Sequence, residues 1–259
     1  MKIVFIGAGN VATHLARELY KYNFNIIQVY SRTIESARIL ACEVNAIATT
    51  DISSIVADAD IYIFSVKDAV LSEIISEIPA NNGLWIHTAG SIPMNIFKEY
   101  TSRYGVLYPF QTFSKNRKID WKSVPIFVEA SSDGDLNILT TIAQQISDKV
   151  AYLPSDKRRF IHLSGVFACN FVNHMYTLSA AILGNAGLPF DVALPLIDET
   201  ATKVHTMNTI EAQTGPAIRF DKNVIETHLS MIEDKRVKDI YRLISENIHE
   251  TSKNKNNKP

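Results

Sequence analysis

Two groups of residues in this 259-residue chain are of types that could do chemistry. The first is Gly7-Ala8-Gly9-Asn10-Val11-Ala12, which has the spacing G-x-G-x-x-A. Gly7 allows a sharp turn, Gly9 lets a backbone approach a pyrophosphate, and Ala12 lets a helix pack closely on a strand. The second is a scatter of polar side chains: His87 before Thr88-Ala89-Gly90-Ser91, and His162, Asn170 and Asn173 within a long apolar stretch. Histidine can give or take a proton near neutral pH, and side-chain amides can orient a carbonyl or carboxylate. A dinucleotide cradle with a nearby proton donor suits hydride transfer, in which a cofactor supplies the hydride and the protein the orientation.

The glycine spacing recurs in ordinary turns, so its context decides. Here the apolar run Ile3-Val4-Phe5-Ile6 leads into it and an amphipathic stretch begins at Asn10, which is the strand–turn–helix setting the motif requires. The N–H groups of Ala8 to Val11 and the positive end of the new helix then face the phosphates. The residue closing the second strand separates NAD from NADP. An acid there would bind the ribose 2′-hydroxyl, whereas Ser31-Arg32-Thr33 offers a guanidinium and two hydroxyls to a 2′-phosphate. The bland alternative makes Arg32 a solvated charge and Thr33 a helix cap. The chemistry favours NADP(H).

Open α/β sheets bind ligands beyond the carboxyl ends of their strands. Besides Gly7–Gly9 and Ser31–Thr33, those ends are Val66-Lys67 and His87–Ser91. Val66, Lys67, Ala89 and Gly90 are therefore candidate cofactor contacts, His87 a candidate acid or base, and Ser91 a substrate contact. A histidine merely capped by backbone at a strand end is an equal reading of His87. On the long helix, His162 and Asn173 lie on a face opposite a stripe of Phe160, Phe167, Phe171, Met175, Leu178 and Ile182, with Asn170 at the margin of that face. That polar face is a catalytic wall, a wet surface or a dimer seam. Arg219, after Gly215-Pro216-Ala217, could grip a substrate carboxylate.

These groups must be positioned by alternating elements. Strand-like runs at 2–6, 26–31, 44–48, 60–66, 83–88, 104–108, 125–130 and 149–153 alternate with helical patterns at 10–22, 33–42, 67–78, 93–99 and 134–146. That order predicts an α/β fold, a doubly wound parallel sheet with right-handed crossovers. After Pro154 the pattern becomes helical throughout, with helices at 155–184, 190–206, 221–233 and 235–248. The expected domains are 1–153, binding the cofactor, and 154–259, all-helical, with the tail disordered from about 250.

Composition narrows the partners. The apolar fraction of 46%, the charged fraction of 20% and a net charge of −1 fit a soluble globular protein and give no reason to expect nucleic acid or an anionic membrane. Cys42 and Cys169 are far apart and outside any metal-ligand spacing, so no metal is expected, and both read as buried thiols in a reducing cytosol. No run reads as long enough to cross a bilayer or as a signal peptide, which predicts a cytoplasmic protein. The helical part has more apolar faces than a few helices can cover, notably Leu188-Pro189-Phe190 with Leu194-Pro195-Leu196-Ile197. A homodimer through that part is expected.

Beyond these readings, the glycine motif, Ser31-Arg32-Thr33 and the helical second half resemble the pyrroline-5-carboxylate reductase and 6-phosphogluconate dehydrogenase-like superfamily. More narrowly, Tyr108–Phe113, His162–Tyr176, Pro195–Thr200 and Gln213–Asp221 resemble Rossmann-like NADP oxidoreductases with a helical domain of unknown function. The resemblance implies a 6-phosphogluconate dehydrogenase-like helical domain and brings no substrate. Tyr108-Pro109 stands where prephenate dehydrogenases have His-Pro, so that histidine's role is not carried over. The resulting expectation is an NADP-dependent oxidoreductase acting on a small C=O or C=N substrate. A non-catalytic NADP(H)-binding sensor is the rival from another class.

Overall fold

The structure, a computed structural model, describes residues 1–255. Eight strands form one sheet in the order β3-β2-β1-β4-β5-β6-β7-β8. They are β1 (Lys2–Ile6), β2 (Asn25–Tyr30), β3 (Ile47–Thr49), β4 (Ile61–Phe64), β5 (Leu84–His87), β6 (Tyr104–Pro109), β7 (Ile126–Ala130) and β8 (Val150–Tyr152). The helices of this part are α1 (Asn10–Lys21), α2 (Ile34–Glu43), α3 (Asp68–Glu77), α4 (Asp133–Ile146) and α5 (Ser155–Gly165). Each inner strand is apolar on both faces because each face is covered. Ile3, Phe5, Ile61 and Ile63 enter one core layer, while Val4, Ile6, Tyr62 and Phe64 enter the other. Strand periodicity sends neighbours to opposite sides.

Strands β1 to β6 are mutually parallel, so their carboxyl ends share one edge. The all-parallel expectation fails at one place: β7 runs antiparallel to β6. The 110–125 segment contains no crossover helix, only a single 3-10 turn at Trp121–Ser123, so the chain turns back instead of crossing over. Helix α4 then carries the chain to β8, parallel to β7.

The chain divides into two compact units, 1–170 and 171–259. The boundary expected near 153 therefore shifts, because α5 belongs to the first unit. Arg158 is buried and donates to Glu129 of β7 at 2.6 Å, and Ser155 donates to the same carboxylate through its backbone N–H at 3.0 Å and its hydroxyl at 2.6 Å. Texture in sequence reported where helices begin, not what they pack on.

Helix continues from Ser155 without interruption to Asn185, through a π-helical turn at Val166–Phe171 and α6 (Val172–Asn185). This corrects the expectation that no run approaches membrane-spanning length: by length and composition alone, Ser155–Asn185 reaches it. The rest of the second unit comprises α7 (Leu194–Thr206), α8 (Thr209–Ala212), α9 (Pro216–Arg219), α10 (Lys222–Met231) and α11 (Lys235–Lys255). Helix α11 overruns the expected disordered tail as far as Lys255, and residues 256–259 lie outside the described residues. The thiols depart from expectation too: Cys42 is exposed and Cys169 half-buried.

Candidate active site

At the shared strand edge the first unit holds a cavity of about 690 Å³. Gly7 to Val11, Ser31 to Thr33, Val66, Lys67, Ala89 and Gly90 all line it, so the structure brings the twelve cofactor candidates together. The turn is built as its glycines require. Gly7 has φ +117°, donates its N–H to Tyr30 O at 2.8 Å, and has the Ser65 carbonyl where a Cβ would stand. Gly9 is different: nothing lies within 4 Å of its missing Cβ. The protein does not use that space, and a ligand lying on the helix start would. Next to it, Thr33 donates its hydroxyl to Ser36 at 2.9 Å rather than capping α2. Ser31, Arg32, Thr33 and Ser36 thus crowd one end of the cavity without a carboxylate at the β2 terminus. These residues fit NADP.

Three side chains on one face of α1 tie down the loop after β6. Asn10 donates to Phe113 O at 2.8 Å, His14 to Ser114 O at 2.9 Å and Arg17 to Lys115 O at 3.2 Å. Spacings of four and three residues stack them along the helix, so successive turns grip successive carbonyls. Gln111, Phe113 and Lys115 are thereby held on the cavity wall. Sequence reading gave this loop no site role, although its place after a parallel strand end was a usable signal.

A second cavity of about 330 Å³ shares Tyr108, Gln111 and His162 with the first. Phe110, Thr112, Gly165, Val166, Ala168, Cys169 and Asn170 complete its lining. Tyr108 OH and His162 Nδ1 lie 3.1 Å apart. His162 also presses on the β5 loop: a Cβ on Gly90 would come within 2.5 Å of Nδ1. Gly90 is needed for that approach. The π turn explains why Asn170 joins His162 here while the expected polar face does not continue evenly to Asn173. It inserts extra length into one turn and breaks the 3.6-residue phase used to draw that face. Asn173 is an exposed residue of the second unit, and so is Arg219.

His87 is corrected as a candidate acid. It is wholly buried, lines neither cavity and accepts the Ala89 N–H at Nδ1 (3.1 Å). Burial first, and the Arg158 charge second, lower its pKa to about 3, against a weaker opposing pull from the Pro93 backbone. A sealed ring that lines neither cavity positions the 88–90 loop rather than a reacting atom. Ser91 also lies outside both cavities and donates its hydroxyl to Asp68. Tyr108, which sequence reading passed over, has its pKa pushed up to about 12, mainly by burial and against the Arg158 charge. Among the described residues no group of His, Cys, Asp and Glu could hold a metal ion.

Comparison with known proteins agrees with this geometry. Residues 2–86 match the family of F420-dependent NADP oxidoreductases, and residues 124–248 match a domain of unknown function, DUF2520. A Bacteroides fragilis protein assigned to the NADP oxidoreductases is 51% identical, with a TM-score of 0.90 over 96% of this chain and 98% of that one. A Thermotoga maritima protein is 23% identical, with a TM-score of 0.73 over 98% and 99% of the two chains. An imine reductase from Myxococcus stipitatus in complex with NADP+ shares the fold, at 15% identity and a TM-score of 0.67 over 98% and 93%. No curated protein matches. The chain belongs to the NADP oxidoreductases in which an α/β dinucleotide-binding domain is followed by the helical domain of unknown function.

Proposed function

We propose that the protein reduces a small C=O or C=N compound with NADPH, in the second cavity of the first unit. One observation carries this reading. Two cavities, one fitting a dinucleotide and one lined by aromatic, amide and small side chains, meet at Tyr108, Gln111 and His162. NADPH, when bound, supplies the hydride. Gly7 to Val11 would hold its phosphates, Ser31 to Thr33 its 2′-phosphate, and Val66, Lys67, Ala89 and Gly90 would border the rest. His162 and Asn170 line the second cavity, Asn170 to orient the reacting group and His162 to supply a proton to the site. The test is calorimetry with NADPH and NADH, followed by NADPH oxidation against a panel of ketones, aldehydes and cyclic imines. Tight NADPH binding without turnover across the panel would favour the sensor reading.

We also propose that the helical unit pairs with a second copy of the chain. Helices α6 and α7 contain no buried residue, and Ile182, Leu188, Leu194 and Leu196 are exposed in the single chain. Such faces need cover. Asp156, Lys157 and Arg159 at the start of the long helix, with His162, Asn170 and Asn173 along it, favour a protein seam over lipid. A monodisperse dimer without detergent supports the seam, whereas detergent-dependent solubility would point to a membrane.

A further inference from the structure

The reduction leaves a charge to be neutralised, and the two cavities restrict which groups can do it. A proton donor must reach the atom next to the carbon that accepts the hydride, so it must border both cavities. Tyr108, Gln111 and His162 do so, and Gln111 has no proton to give at working pH. Lys67 and Asp68 border the cofactor cavity alone, and His87 borders neither. Tyr108 stands one residue before the end of β6, held by pairing with Phe127 of β7, with its hydroxyl 3.1 Å from His162 Nδ1. The imidazole is itself fixed by the close approach at Gly90 and lies in an exposed residue. From this geometry, and resting on the reductase reading, we propose that Tyr108 is the acid of the site and that His162 returns its proton from solvent.

The step balances. Hydride from NADPH forms the new C–H bond, and the C=X π pair takes the phenol proton to form X–H. The Tyr108 phenolate then takes the proton from Nδ1 of His162 while Nε2 takes one from water, and exchange of the ring protons with solvent returns His162 to its Nδ1–H tautomer, so a single solvent proton is consumed per turnover. Burial suits Tyr108 to this part, because it keeps the phenol protonated until a basic group is presented to it. Tyr108 meets the substrate and is the catalytic residue. His162 acts through it.

The test begins with Tyr108→Phe. Its kcat should fall at least about 100-fold, the usual contribution of a positioned acid, while calorimetric NADPH affinity stays within about twofold. His162→Asn should fall less, and added imidazole should restore rate in that variant but not in Tyr108→Phe, an outcome a packing role would not produce. Independent of turnover, nitrogen NMR of the NADP-bound protein should show the His162 tautomer ratio change in Tyr108→Phe. If Tyr108→Phe does not fold, Tyr108→His, which retains an acid at that strand end, takes its place and should keep part of the rate. Turnover undiminished in Tyr108→Phe, no imidazole rescue of His162→Asn, or an unchanged His162 tautomer ratio would each overturn the assignment. Absence of wild-type turnover across the whole panel would instead remove the reductase reading, and the acid with it.

Discussion

The two units use their apolar residues in opposite ways. In the first, β4 and β5 are buried along their whole lengths, and both faces of the sheet are sealed within one chain. In the second, only Ala217, Ile225 and Ser245 are buried among the described residues. Yet Leu188, Leu194, Leu196, Val204 and Ile210 are no less apolar than the sheet residues. A sheet covered by its own crossover helices closes on itself, whereas the helices of the second unit leave these apolar side chains exposed in the single chain. The first unit is thus specified by folding. We read the second as specified by assembly.

The largest expected effect tests that reading directly. Leu196→Asp would remove a leucine from each side of the proposed two-fold seam and place a charge there. At about 1.5–3 kcal/mol per buried leucine, the two copies together lose roughly 3–6 kcal/mol of association, more than a hundredfold in Kd. Light scattering over a dilution series should find dimers for the wild type and monomers for the variant at the same micromolar concentration. Identical masses for the two proteins would break the comparison.

Next in size is the anchor that places α5 in the first unit. Arg158→Met leaves Glu129 buried without its cation, which costs roughly 3–5 kcal/mol in unfolding free energy. The double variant Arg158→Met/Glu129→Leu should recover most of that loss, because two apolar side chains replace a fully desolvated pair. Urea denaturation of the two variants is the check. A loss below about 1 kcal/mol in the single variant, typical of an exposed pair, would return the boundary to the start of the helix.

Cofactor preference follows. Arg32→Asp should reduce NADPH affinity by roughly 1.5–3 kcal/mol, or about 10- to 100-fold, and leave NADH affinity nearly unchanged or improved. The residue adjoins the glycine turn in the cavity, so calorimetry reads the 2′-phosphate contact with little structural disturbance. Equal losses for both nucleotides would mean that Arg32 supports the cavity wall rather than the phosphate.

How much of this was legible in the chain depended on the range of the signal. Gly7-Ala8-Gly9, the strand periods and the β1 range of 2–6 are local, and local chemistry fixes them. The antiparallel β7 was foreshadowed by the missing helix between 110 and 125, but sheet direction is settled only by pairing. The helix face bearing His162 was drawn with one period throughout, and the π turn at Val166–Phe171 defeats any such projection. His87 and Tyr108 show the sharper limit. His87 ends β5, Tyr108 stands one residue before the end of β6, and both are titratable, so the histidine is the candidate that its ordinary pKa recommends. Which of them borders a cavity depends on tertiary packing, and that packing seals His87 while leaving Tyr108 at the junction.

The smallest effect isolates that sealed histidine. Folded His87 protonates only near pH 3, whereas in the unfolded chain it does so near 6.5. Between those values the unfolded state binds the extra proton, so the contribution is fully present above about 6.5, declines as pH falls, and is gone below about 3. Each pH unit within that window removes roughly 1.4 kcal/mol. His87→Gln has no ring to titrate and should lower stability by a constant amount while losing this slope. The comparison is therefore between urea midpoints of the two proteins at pH 6.5 and 4.5, where carboxylates common to both cancel in the difference. The wild type should lose roughly 2 kcal/mol more than the variant over that interval, because the unfolded ring is already half protonated at pH 6.5. Parallel losses would mean that His87 is hydrated in solution, and an open ring at the end of β5 would reinstate it as a candidate acid beside Tyr108.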